Sequence, residues 1–446
     1  MSIDASTIKA QLKELEIKSK QLSRKIGEAK KAGLVSAKTL IVEKQNLQQQ
    51  ITHLKIELET SAPSQHKPSP QNLSNKKNTD TIFEVQPYPN KIEPSCEKQD
   101  IEITLIKGVS QIPEGWDSYV TSHPLYSIYH TQLFLNTLCH TFGHVAVLIC
   151  AREKQSNLIV AVLPIIEQKS ALFGHLWTSI PFVNYGGALA NNAEIESKLL
   201  NFAKQAAFEA GAKQLEIRGI YERPCDGKAS TDKASMWLQL PKTSEVLLKS
   251  FKAKLRSQIK KGYTEHVTTR VGKKELLQDF YSVFSRNMRD LGTPVYSVKL
   301  FDKILNSLDE NAYIVIVYHD NQPASAAFLI RSESRMEIPW ASTIRKYNQH
   351  NLNMVLYWEV LKLSCNEECE IFDFGRSSID ASTYRFKKQW GTQPVQHHWY
   401  TYNKAPNEGG GVNPNNPKYQ LLIAIWKRLP LWLANTIGPH IVKYIP

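Results

Sequence analysis

Hydrophobic and polar positions divide the chain into five stretches. From residue 5 to 60 the spacing is helical. Leu12, Ile17, Leu22 and Ile26 form one apolar stripe, and Leu40, Leu47, Ile51, Leu54 and Leu58 form another. Gly33 breaks the pattern between them, so residues 1–60 are predicted as a helical hairpin of coiled-coil type. Residues 61–99 are rich in Ser, Pro, Asn, Gln and Lys and poor in apolar side chains, the composition of a disordered linker. Beyond residue 100 the pattern becomes mixed α/β and repeats. Strands at 144–151, 158–167 and 172–180, a helix at 194–211 and a strand at Gln214–Arg218 make the first pass. Strands near 312–319, 323–332 and 335–341, a helix at 351–365 and a strand at Glu370–Phe374 make the second. Two helices precede the meander each time. We read two similar α/β (α+β) domains, 100–241 and 242–402. Residues 403–446 form a basic tail whose stretch Tyr419–Ile437 is amphipathic.

Composition narrows the partners. The 446 residues carry a formal net charge of +13, which favours anionic partners or serves solubility alone. Six cysteines in a chain this long do not make a disulfide scaffold, and no Cys/His set has zinc-ligand spacing. His397 and His398 are adjacent on a strand and face opposite ways, so no metal site is expected. The N-terminal residues contain no apolar signal core. The longest apolar stretch, Leu421–Ile437, is interrupted by Lys427, Arg428 and Pro430. The expectation is a cytoplasmic protein, with peripheral contact at the inner membrane as an option for the tail. A tail packed on the second domain is the other reading.

Five constellations could carry chemistry. Pro181–Gly187, sequence PFVNYGG, lies between a strand and a helix and offers Asn184 and Tyr185. Its paired glycines suit either close approach to a ligand or a tight turn. Lys242–Lys274 holds ten Lys/Arg and two Glu. On one helix, Lys249, Lys252, Arg256 and Lys260 would form a continuous basic face for phosphates, or a solvated face. In Arg286–Pro294, RNMRDLGTP, Arg286 and Arg289 share a helix face and suit carboxylate or phosphate recognition, or capping of the helix end. Around Glu337–Ser342, EIPWAS, Pro339 predicts a bulge, and Glu337, Trp340 and Arg345 are candidates to line a cleft. The last is Phe372–Gly391, FDFGRSSIDASTYRFKKQWG. A strand end there delivers Asp373, Gly375 and Arg376 into a polar turn, followed by a short helix with Tyr384, Phe386, Lys387, Lys388 and Trp390.

With these blocks in order, residues 100–402 resemble the FemAB-like family, in particular FemAB-like proteins associated with exosortase/PEP-CTERM and exopolysaccharide systems. The likeness rests on PFVNYGG at 181–187, KAKLRSQIKK at 252–261, NMRDLGTPVYS at 287–297, EIPWAST at 337–343 and FDFGRSS…TYRFKKQWG at 372–391. The resemblance implies two tandem GNAT-like acyltransferase domains, of the kind also described as BioF2-like acetyltransferase domains. It implies acyl transfer to an amine, with aminoacyl-tRNA as donor in the better-known members. It also places Lys387, just after Phe386, at the reaction centre. Where ordinary GNAT enzymes cradle the CoA pyrophosphate on glycines, this chain has Thr343–His350 with no glycine, which argues against CoA in the second domain. LSRKIGEAKKAG, at Leu22–Gly33, resembles the tRNA-gripping arm of seryl-tRNA synthetases, so the hairpin is a candidate for tRNA contact or self-association.

The reading is an N-acyl or aminoacyl transferase acting on a cell-envelope or exopolysaccharide precursor. It holds no tightly bound cofactor and takes its acyl group from aminoacyl-tRNA or acyl-CoA. Lys387 is the catalytic candidate; Trp340, Arg376, Tyr384, Phe386, Asn184 and Tyr185 line the cleft, and Arg286 and Arg289 recognise an acidic acceptor. Two alternatives stay open. One is a non-catalytic module that binds anionic glycan or RNA through Lys249, Lys252, Arg256 and Lys260. The other is a CoA-dependent N-acetyltransferase acting on an amino sugar.

Overall fold

A computed structural model describes residues 100–405, apart from 172, 224–226 and 228, together with 417–445, 83, 85–89 and scattered positions between 11 and 50. The chain divides into two compact units, Met1–Asn78 and Thr79–Pro446. In the first unit, the described residues between 11 and 28, and Leu40, Glu43, Leu47 and Gln50, are helical. Leu12 is buried, and Glu14 and Lys18 pair one turn apart at 2.8 Å. The predicted turn at Gly33 lies outside the described residues, as do positions 61–82 and 90–99 of the predicted linker.

The described residues of the second unit form two sheets built from fifteen strands. They are β1 (Ile101–Lys107), β2 (Val145–Glu153), β3 (Ile159–Ser170), β4 (Gly174–Thr178), β5 (Leu189–Ala190), β6 (Gln214–Gly219), β7 (Ala229–Ser230), β8 (Lys233–Gln239), β9 (Val267–Gly272), β10 (Ala312–His319), β11 (Gln322–Ser332), β12 (Arg335–Thr343), β13 (Ile371–Ser378), β14 (Gln393–Gln396) and β15 (His398–Asn403). The helices are α1 (Trp116–Ser122), α2 (Gln132–Phe142), α3 (Ala193–Glu209), α4 (Ser244–Ser250), α5 (Ala253–Gly262), α6 (Leu277–Leu291), α7 (Val298–Leu308), α8 (Leu352–Asn366), α9 (Ser382–Lys388), α10 (Pro417–Trp426) and α11 (Leu431–Val442). Both predicted meanders, the helix after each and the strand after that helix are present, at bounds within a few residues of those expected.

The sheet orders are β1-β2-β3-β4-β6-β15-β7, with β5 beside β3, and β14-β8-β13-β12-β11-β10-β9. Apart from β5, which has no counterpart, they correspond strand for strand, with one reciprocal exchange. β8, which follows the first pass in sequence, pairs with β13 and β14, and β15, which follows the second, pairs with β6 and β7. A cut at 241/242 therefore assigns both strands to the wrong sheet, because pairing crosses the sequence boundary in each direction. Each sheet has one parallel pair, β4 with β6 and β12 with β13, and each of these pairs over only three residues.

The core follows from the apolar runs. Strands such as β2 and β10 are buried along nearly their whole length, and α8 is buried on most of its circumference. Phe280, Phe301, Phe328 and Trp340 interlock at centroid distances of 4.9–5.6 Å. Three predicted continuities are broken. The linker is not wholly free: Phe83 and Val85 pack beside Tyr185 and Trp237, and Tyr88 donates to Glu196 at 2.8 Å. These few large side chains supply enough apolar surface to seat the segment. The basic helix is two helices, with Phe251 in extended backbone between them, so Lys249 and Lys252 do not share a helix. The amphipathic tail is also two helices, separated before Leu431 by Pro430 in extended backbone.

Candidate active site

Glu337 on β12 and Asp373 on β13 are the last residues at which these parallel strands pair. Beyond them the strands separate. β11–β12 shifts register opposite Ile338 and Pro339, the bulge predicted from Pro339, and β13 shifts register around Phe374 and Gly375. Divergence of parallel strands at their carboxyl ends opens a place for a ligand. Here it leaves two carboxyl groups side by side, 4% and 0% exposed.

Both carboxyls are held from the first sheet's half of the molecule. Tyr129 donates to Glu337 Oε2 at 2.7 Å, and Asn184 Nδ2 donates to Oε1 at 2.6 Å. Tyr185 donates to Asp373 Oδ2 at 3.3 Å, and the Gly375 N–H donates to Oδ1 at 2.7 Å. The loop carrying Asn184 and Tyr185 is strained, with Ile180 at φ 43° and Phe182 at φ 76°. Its glycines are needed for packing: a Cβ on Gly186 would sit 2.7 Å from Ile180, and one on Gly187 would sit 2.7 Å from the Arg218 carbonyl. The paired glycines thus admit protein, not ligand, at this place.

Two cations complete the cluster. The Arg335 guanidinium lies over the rings of Tyr185 and Trp237, at 5.4 and 5.3 Å, and donates to the Tyr126 carbonyl. Lys387 is 8% exposed, and its Nζ donates to the carbonyls of Gly375 at 2.9 Å and Arg376 at 3.0 Å. The bulge in β13 turns these carbonyls toward it. An ammonium has three N–H groups, so one is left without a partner among the described residues. Lys388 is exposed, so the fold itself distinguishes the two neighbouring lysines. Gly375, at φ +74°, sits at the centre: a Cβ there would be 3.5 Å from Asn184 Nδ2 and 3.9 Å from Lys387 Nζ.

Burial sets the electrostatics. It pushes the Glu337 carboxyl up to about 7, helped by the charge of Asp373 beside it, and pushes Asp373 upward as well. Burial pulls Lys387 down to about 8, with Asp373 opposing that pull. A proton-carrying acid near neutrality next to a dehydrated ammonium can move a proton and stabilise a developing oxyanion. Among the described residues no group of three or more His, Cys, Asp or Glu could hold a metal, and Cys139, Cys150, Cys365 and Cys369 are free and buried.

The remaining candidates are dispersed. Trp340 is buried in the phenylalanine core. Tyr384 and Phe386 pack against that core, Phe386 on Tyr357 of α8 at 5.1 Å. Arg289 pairs with Asp290 at 2.7 Å and holds the Leu429 carbonyl of the tail at 3.0 Å, whereas Arg286 is exposed on α6. Lys249, Lys252, Arg256 and Lys260 are exposed, and Arg256 donates back to the carbonyls of Lys249 and Phe251 at the end of α4. Arg345 is exposed at the start of a short 3-10 turn. Tyr129 and Arg335 were not singled out in the sequence. Tyr129 lies 208 residues from Glu337, and no local pattern relates the two.

Residues 249–388 match the family model described as an acetyltransferase (GNAT) domain. No curated protein matches the chain. Among solved structures, FemX is similar over 72% of this chain and 100% of its own, with 16% identity and a TM-score of 0.50. A tandem GNAT protein from the clavulanic acid biosynthesis pathway is 10% identical over 69% of this chain and 100% of its own, with a TM-score of 0.44. The C-terminal domain of a putative lysylphosphatidylglycerol synthetase from Agrobacterium fabrum is 13% identical, covering 55% of this chain and 81% of that one, with a TM-score of 0.40. The chain has a mixed α/β fold of two GNAT-like units in tandem, the fold of FemX.

Proposed function

We propose that the protein is an acyltransferase of the FemAB type that joins an acyl or aminoacyl group to an amine of a cell-envelope or exopolysaccharide precursor. The observation that carries this reading is Lys387, a buried ammonium with one unpaired N–H beside the Glu337–Asp373 pair. The acceptor amine attacks the acyl carbon, a C–N bond forms, and the bond to the donor's oxygen or sulfur breaks. One proton passes from the amine to the leaving group. Lys387 stabilises the intermediate oxyanion, and Glu337, poised near neutrality, relays the proton.

One observation favours aminoacyl-tRNA over acyl-CoA as donor. The start of α8, where a pyrophosphate would need open backbone N–H groups, is packed by α5: a Cβ on Gly262 would lie 3.0 Å from the Asn351 carbonyl. Isothermal titration tests the donor directly: acetyl-CoA should give no binding heat, while charged tRNA should support amide formation. Saturable acetyl-CoA binding with acetyl transfer would replace this reading with that of an amino-sugar acetyltransferase.

The tail supports peripheral contact with an anionic membrane. Leu421, Leu422, Ile425 and Trp432 are 49–70% exposed, Lys427 and Arg428 are exposed beside them, and no acidic residue follows Glu408. The opposite face of the tail is anchored: Gly438 packs on Val295, and the Lys443 carbonyl binds His144 at 2.7 Å. No helix among the described residues is long and apolar enough to cross a membrane.

A further inference from the structure

The exchange of β8 and β15 builds a second cluster. Trp399, on β15, lies opposite Arg218 of β6, whose guanidinium sits 4.2 Å from the indole centroid. From the other sheet, Arg376 of β13 approaches the same indole at 4.5 Å, and Lys233 of β8 at 5.8 Å. Arg218 is neutralised by Glu216 through two contacts of 2.7 Å. Arg376 and Lys233 have no carboxylate partner, and their charged groups have no hydrogen-bond acceptor among the described residues. Asp232 is exposed and engaged by Ser230 at 2.5 Å, and it acts on both cations only through its charge, without a salt bridge to either.

The imbalance extends to neutral donors. His397 is 1% exposed, and burial followed by the positive charge of Arg376 pulls it down to about 3, so the ring is neutral. Its Nε2 lies 3.0 Å from the Ser235 hydroxyl. Its Nδ1 is buried without a partner among the described residues, and it is a donor in the tautomer whose Nε2 accepts from Ser235. Trp399 Nε1 is likewise buried without a partner. The unpartnered Trp399 N–H and His397 Nδ1, beside two cations without a salt bridge among the described residues, form an arrangement that an anion completes.

We propose that Arg376, Lys233, His397 and Trp399 form a binding site for a phosphate dianion carried by a substrate. Three cations, Arg218, Arg376 and Lys233, against the two acids Glu216 and Asp232 leave an excess of positive charge, and the forked guanidinium with its free N–H groups suits a phosphate with several acceptor oxygens. The backbone links this site to the reaction centre, because the carbonyl of Arg376 receives a hydrogen bond from Lys387 Nζ. The assignment of the phosphate to a substrate rests on the acyltransferase reading; the anion site does not. The full chain is titrated with inorganic phosphate, pyrophosphate and acetate, following heat and tryptophan fluorescence. Phosphate or pyrophosphate should bind and acetate should bind much more weakly. Arg376→Gln and Lys233→Gln should each weaken phosphate by about tenfold or more, the loss of a charge-assisted contact. Lys249→Gln should bind as wild type, and Lys387→Ala should still bind phosphate even if acyl transfer is lost. Absence of phosphate binding, equal affinity for acetate, or unchanged affinity in a folded Arg376→Gln or Lys233→Gln variant overturns the site. Two variants are used so that misfolding of one leaves the other decisive.

Discussion

Glu337→Gln should flatten the pH dependence of stability above about pH 5. The native carboxyl titrates near 7, against 4.5 for an ordinary glutamate. A raised folded value means the native state holds its proton more tightly than the unfolded chain does. The protonated acid's contribution is therefore complete below 4.5 and is lost as pH rises toward 7. The full gap corresponds to roughly 3 kcal/mol at about 1.4 kcal/mol per unit. Coupling to Asp373, which relaxes when Glu337 is replaced, lowers the expected difference to about 2 kcal/mol. Glutamine is an uncharged isostere: its oxygen can accept from Asn184, and Tyr129, which donates to Glu337 in the wild type, turns its hydroxyl to accept from the new amide. Buried His130 and His397, pulled down to about 4 and about 3, weaken the protein as pH falls, so the raw profile of wild type is a sum of opposing trends. The difference between wild type and variant isolates Glu337. Urea unfolding followed by circular dichroism at about pH 5 and about pH 8 measures it. The variant should gain about 2 kcal/mol relative to wild type between the two. Parallel profiles would refute the argument that Glu337 is held protonated by burial.

Two further outcomes follow from the geometry. Gly375→Ala places a Cβ at φ +74°, beside Asn184 and Lys387. It should cost about 1–2 kcal/mol of stability, read by thermal unfolding, while turnover falls by more than that loss explains. Leu421→Ser with Ile425→Ser should abolish co-sedimentation with phosphatidylglycerol vesicles and leave the melting temperature nearly unchanged, since both side chains are exposed. Retained sedimentation would exclude α10 as the contact.

What the sequence discloses depends on the distance over which each feature is decided. The meander strands are local: VAVLICARE and AYIVIVYH are short, mostly apolar runs rich in β-branched residues, which read as buried strands. The exchange of β8 and β15 is invisible, because KASMWLQ and HWYTYN carry no mark of which sheet they will join. Trp340 reads as a cleft residue because it follows a bulge, but it packs into the phenylalanine core. Arg289 reads as free because its acceptor, the Leu429 carbonyl, lies 140 residues away. Lys387 could be separated from Lys388 only by resemblance; the fold supplies the physical difference, since the two carbonyls that hold Lys387 are presented by the bulge in β13. Tyr129, Asn184 and Glu337 meet only because two sequence-distant halves close on one another.

The account turns on the ammonium of Lys387. The most direct measurement is single-turnover amide formation from charged tRNA by wild type and Lys387→Ala, with circular dichroism confirming the fold of both. Loss of an oxyanion donor predicts a fall of about 100- to 1000-fold in the chemical step, roughly 3–4 kcal/mol, with donor binding little changed. A folded Lys387→Ala protein that turns over at the wild-type rate would contradict it.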